Sequence, residues 1–164
     1  MKKVAVVMGS TSDLPVVEKA INALKKYDIP VEVRVLSAHR TPAEAREFAV
    51  NARANGFGVI IAAAGKAAHL AGAMAAGSTL PVIGIPVKGS ALDGMDALLS
   101  TVQMPSGMPV ATVAIDGAEN AGLLAVQILA VSDEALADRL DADRKAAAEK
   151  ILAGDKELRE KYSV

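Results

Sequence analysis

The chain has 164 residues, of which 52% are hydrophobic but only 2% aromatic, and its formal net charge is −1. This balance excludes a disordered chain and gives no electrostatic case for binding nucleic acid or an anionic membrane; the scarcity of aromatics also removes the usual base-stacking platforms. With no cysteine there are no disulfides or thiolate metal sites, which suits a reducing, cytoplasmic compartment. In chain order, the run at 4–8 predicts a strand that stops at Gly9, too short for the apolar core of a secretory signal. Gly9-Ser10-Thr11-Ser12-Asp13 follows, ahead of a helix predicted over 14–27. A glycine-permitted turn with serine hydroxyls and free N–H groups suits a phosphate, and Asp13 suits sugar hydroxyls. A second reading stands beside it: Ser12 or Asp13 caps the helix, with Pro15 in its first turn. The segment matches neither the dinucleotide fingerprint nor the P-loop.

The next strand (31–36) and helix (43–54) enclose Ser37-Ala38-His39-Arg40-Thr41-Pro42. Thr41, Pro42 and Glu44 fit N-cap, N1 and N3 of a capping box. Ser37, His39 and Arg40 are left over. Arg40 has the forked geometry that suits a phosphate. His39 ionises near neutrality and is a candidate general acid/base; a satisfied structural histidine is the competing reading. A third strand (58–63) leads into a stretch of small residues with a helix predicted over 67–76, where Lys66 and His69 are the only bulky polar groups. Two histidines without cysteine make a poor transition-metal set, so no metal is expected.

A fourth strand (81–87) precedes Lys88–Gly94 and a helix over 94–103. Two prolines around a glycine then make a rigid connector into a fifth strand (109–115) and a helix over 119–130. The absence of a G-x-S-x-G elbow speaks against a serine hydrolase. From 133 onward charged residues dominate a long amphipathic helix, with Gly154 as its stop and a short second helix beyond. It either packs on its own domain or reaches a neighbouring subunit as an arm. Five β–α repeats with largely apolar strands predict one α/β domain over 1–164: a three-layer, doubly wound parallel sheet of flavodoxin-like layout, with 133–164 as a helical extension. In such a sheet ligands bind beyond the carboxyl ends of the strands, where both histidines fall.

"VMGSTSD", "SAHRTP", "AAHLAG", "LPVIGIPV", "LDGMDALLSTVQMPSGMPVATVAI" and "NAGLLAVQILA" occur here in order. Over roughly residues 4 to 130 the chain resembles the phosphoribosylaminoimidazole carboxylase catalytic subunit family, in its N5-carboxyaminoimidazole ribonucleotide mutase branch. The resemblance implies a purine-biosynthetic isomerase that moves a carboxylate from N5 to C4 of the aminoimidazole ribonucleotide. It implies His39 as the acid/base and Arg40 with Ser10 and Ser12 on the phosphate. Asp13 falls on the ribose, and Ser37 and Ala38 line the pocket. The loop of Gly65, Lys66, His69 and Leu70 closes over the base and carboxylate. It implies no cofactor, and a homo-octamer with sites at subunit contacts. Relatives commonly carry glycine at the place of Lys66 and proline at that of Ala71. A direct carboxylase of aminoimidazole ribonucleotide is the neighbouring alternative, and a noncatalytic nucleotide-binding module the alternative of another class.

Overall fold

A computed structural model describes residues 2–89 and 91–163. Contacts divide the chain into two compact units, Met1–Ile128 and Leu129–Val164. The first holds a sheet of β1 (Lys3–Met8), β2 (Val31–Val35), β3 (Phe57–Gly65), β4 (Val82–Val87) and β5 (Ala111–Thr112), in the order β2-β1-β3-β4-β5. Each neighbouring pair is parallel. Parallel neighbours need crossover connections, which α1 (Leu14–Lys26), α2 (Pro42–Asn51), α3 (Leu70–Gly77) and α4 (Met95–Val102) provide; α5 (Ala118–Ala130) follows the last strand. Helices α2, α3 and α4 pack in sequence on one side and α1 meets α5 on the other. The strand order and the two helical layers are the flavodoxin-like, doubly wound arrangement that the sequence predicts.

Strand β3 lies at the centre, and Val59, Ile60 and Ile61 are fully buried. Burying each such side chain contributes about 1.5–3 kcal/mol. On the α2–α3 side, Ala5, Val7, Ile60 and Ala62 pack with Phe48, Ala49 and Met74. Because the core side chains are short, main chains approach closely. A Cβ added at Gly122 of α5 would lie 2.8 Å from both the carbonyl oxygen of Ala20 and the Cβ of Ala23 in α1. Strand β2 is an outer edge, with Val33 and Val35 exposed. Charge guards this edge against pairing with another chain. Lys3 Nζ meets Glu32 Oε2 at 2.7 Å, and Arg34 lies 3.6 Å from Glu32 Oε1.

Three elements depart from the sequence expectation. Strand β5, expected over 109–115, pairs regularly only at 111–112. Beyond it the chain still follows β4, with the Val113 N–H donating to Gly84 O and the Asp116 N–H to Pro86 O. Asp116 is left-handed (φ 56), which bends the segment away from a regular ladder and into α5. Helix α3, expected from 67, begins at Leu70 because Lys66 is also left-handed (φ 57) and His69 takes the N-cap position.

The third departure lies in the second unit. Its helix α6 (Glu134–Tyr162) runs 29 residues straight through Gly154. Asp133 caps its start, Oδ1 accepting the Leu136 N–H at 3.1 Å. A mid-helix glycine costs only about 1 kcal/mol. The turn beyond it carries i,i+4 pairs, Asp155 with Arg159 at 3.6 Å and Lys156 with Glu160 at 3.8 Å, which support continuation. Gly154→Ala is therefore expected to stabilise α6 by roughly 0.5–1 kcal/mol, since the new Cβ would meet nothing within 4 Å. Urea unfolding followed by far-UV circular dichroism checks this; a loss of stability would mean that the glycine serves a contact. Of the two tyrosines, Tyr27 at the end of α1 is 2% exposed and Tyr162 at the end of α6 is 67% exposed.

Candidate active site

The segments following β1 to β4 leave one edge of the sheet, and hydrogen bonds or close approach tie them together. Gly9 N–H, after β1, donates to Ala63 O of β3 at 3.2 Å. Arg40 Nη2, after β2, donates to Gly9 O at 2.8 Å. Gly65 pairs in register with Val87, and a Cβ added at Gly89 would lie 4.0 Å from Lys66 N, so the exits of β3 and β4 are also adjacent.

The first segment is a 3-10 turn, Thr11–Asp13, that runs into α1. Its cap is Ser10, whose Oγ accepts the Ser12 N–H at 3.3 Å and the Ser12 hydroxyl at 2.8 Å. Asp13 takes the N-cap position of α1 with Pro15 in the first turn, as the second reading expects, but its side chain makes no cap hydrogen bond. Asp13 is partly buried, and desolvation raises its pKa above the usual carboxylate value. The Ser10 main chain, the Ser12 side chain and the charge of Arg40 oppose the shift. A carboxyl raised in the folded state favours folding most below its unfolded pKa of about 3.8. That advantage is lost as pH rises through the raised value. Asp13→Asn is accordingly expected to be at least as stable as the parent at pH 7. Unfolding free energies across pH should show the parent losing ground to the variant above about pH 4; a variant less stable at neutral pH would overturn the assignment.

The second segment is closed by Thr41. The sequence predicts Thr41 as the cap of α2, but its side chain caps no helix N–H. Its Oγ1 instead accepts the Ser37 N–H at 2.9 Å and donates to Ser37 O at 3.1 Å. The Thr41 N–H donates to the same carbonyl at 2.8 Å. Ser37 Oγ accepts from Arg40 N–H at 3.1 Å and from Nε at 3.4 Å. Ser37 thus positions Arg40, and Ala38 packs against the core. His39 is exposed at the crest of this closed loop.

The third segment carries Lys66, exposed and left-handed. That backbone conformation costs a non-glycine residue about 1–2 kcal/mol. His69 is partly buried, and its Nδ1 is buried with no hydrogen-bond partner. Leu70 is only 2% exposed and belongs to the core cluster, which leaves its main chain alone to face a ligand. Two residues escape the sequence reading: Thr41 as loop closure and Gly72, which lies against the His69 ring. The i, i+3 spacing of His69 and Gly72 across a helix start was the available signal for the second.

A cavity of about 550 Å³ opens elsewhere, at the amino edge of the sheet, between the ends of α2 and α3 and residues 107–109. Arg53 lines it and is already held by Thr79, with Nη2 3.0 Å from both its O and Oγ1. Among the described residues, no three His, Cys, Asp or Glu side chains gather as a metal would require, and no helix is long and apolar enough to cross a membrane.

A family model described as AIR carboxylase matches residues 3–150. The chain is 55% identical over 156 residues to an N5-carboxyaminoimidazole ribonucleotide mutase of Mycobacterium leprae, covering 95% of this chain and 91% of the relative. It is 52% identical to the similarly named protein of Bacillus subtilis, covering 94% and 97%. Among solved structures, Treponema denticola PurE superposes with a TM-score of 0.85 at 29% identity, covering 98% of this chain and 98% of that one. The strand order, the carboxyl-edge loops and matches that span nearly the whole length agree: the chain belongs to the AIR carboxylase family.

Proposed function

We propose that the protein is an N5-carboxyaminoimidazole ribonucleotide mutase of purine biosynthesis, acting in the cytoplasm as a homo-octamer. The observation that carries this reading is the Arg40–Gly9 bridge, which joins a hydroxyl-rich phosphate turn to the loop that exposes His39. The substrate phosphate lies on Ser10, Ser12 and the guanidinium, whose fork holds phosphate oxygens in charge-assisted bonds. Asp13 takes the ribose hydroxyls.

His39 protonates the carbamate nitrogen, and the N–C bond breaks to leave carbon dioxide and a neutral amine. The electron-rich C4 attacks that carbon dioxide. His39, now basic, removes the C4 proton and restores aromaticity, so the histidine ends as it began. The Gly65–Leu70 loop keeps the carbon dioxide beside C4 and water away from it. Assembly is supported by the outer side of the α4 region, where Leu92, Met95, Leu99 and Val102 are all at least 46% exposed at heptad-like spacing.

A product assay with two inputs tests the reading. Freshly made N5-carboxyaminoimidazole ribonucleotide alone should give 4-carboxy-5-aminoimidazole ribonucleotide rapidly. Efficient use of aminoimidazole ribonucleotide with bicarbonate would identify the direct carboxylase instead. Turnover of neither would leave a nucleotide-binding module.

A further inference from the structure

Gly72 has no part in the scheme above, yet it decides where the His69 ring can lie. It is buried in the first turn of α3, three residues after His69 at the N-cap position. A Cβ built on it would overlap Nε2, Cδ2 and Cε1 of that imidazole, its three nearest neighbours. The ring therefore rests directly on the glycine backbone, in space that any other residue would fill. In this seat Nδ1 is sealed from solvent with no partner. Nδ1 is unsatisfied in either neutral tautomer, but only the Nε2–H tautomer places a donor on the nitrogen that is not sealed in this way. A helix interior ordinarily prefers alanine to glycine. Gly72 gives up that preference for the sake of the seat.

We propose that Gly72 is a positioning residue that fixes the orientation and tautomer of His69, so that Nε2–H is the donor offered to the migrating carboxylate. The carboxylate contact and the choice of tautomer rest on the mutase reading; the seat does not.

A cycle of Gly72→Ala, His69→Ala and the double variant tests this. In the parent background, Gly72→Ala should dislodge the ring and lower kcat about ten- to hundredfold, the penalty of a misplacement near 1 Å, with KM changed less than about threefold. In the His69→Ala background the same change should alter kcat less than about twofold and raise Tm, because alanine then only improves the helix. Long-range proton–nitrogen NMR on labelled protein should show His69 as the Nε2–H tautomer in the parent, with the pattern shifted in Gly72→Ala. An equal loss of kcat or Tm from Gly72→Ala in both backgrounds would overturn the proposal, as would an Nδ1–H tautomer in the parent. Should the parent lack mutase activity, the Tm cycle and the NMR pattern still decide the seat, and only the carboxylate contact and the choice of tautomer fall with the function.

Discussion

Replacing His39 with Asn is expected to lower kcat by roughly 10²- to 10⁴-fold, the usual worth of a positioned acid/base, while changing the affinity for the nucleotide product less than about threefold. Asn keeps polarity and nearly the volume of the side chain but cannot ionise. The separation of effects follows from the loop. Ser37 and Thr41 close it through three hydrogen bonds, and Arg40 is anchored to Ser37 Oγ and Gly9 O. His39 makes none of these bonds, so its loss leaves Arg40 in place. Single-turnover kinetics and calorimetric titration of the product would separate the two quantities. Retained turnover would move the acid/base role elsewhere, and a parallel loss of binding would mean that His39 is a contact residue alone.

Arg40→Leu is the second large effect, with the opposite signature. Charge-assisted bonds are worth about 1.5–3 kcal/mol each, so losing the proposed forked pair to phosphate should raise KM by about 10²-fold or more. The change also removes the bond to Gly9 O and the Nε–H donor to Ser37 Oγ, while the main-chain N–H of residue 40 still donates to that hydroxyl, so the tie between the two loops loosens. Arg40→Lys keeps the charge without the fork and should recover only part of the loss. Steady-state kinetics on both variants check this. A fall in kcat at unchanged KM would remove Arg40 from the phosphate.

The strands were legible because β3 and β4 are covered on both faces and read as unbroken apolar runs. What local pattern cannot supply is competition between partners for one polar group. Thr41 fits a capping box by spacing, but its hydroxyl is taken by Ser37, which the loop brings within reach. Gly154 reads as a helix stop, yet the ion pairs beyond it continue the helix. The apolar run at 109–115 predicts a strand of that length, whereas pairing also depends on Asp116 turning left-handed. At the site, the residue types at the sheet edge were readable from their places after each strand. That Ser37 serves Arg40, that Leu70 points its side chain into the core and that Gly72 seats His69 are facts of packing. The left-handed Lys66 is a further case, since nothing in the local pattern of this chain marks it.

The placement of the two tyrosines gives this protein an optical address for each of its compact units. With no tryptophan to mask them, Tyr27, enclosed at the end of α1, and Tyr162, open at the end of α6, are its only strong ultraviolet fluorophores. Emission from Tyr27 reports the sheet unit and is shielded from a dissolved quencher; emission from Tyr162 reports the helical unit and is not. A Tyr162→Phe protein would therefore make fluorescence a record of the sheet unit alone, and comparison with the parent would tell whether the two units melt together or in turn.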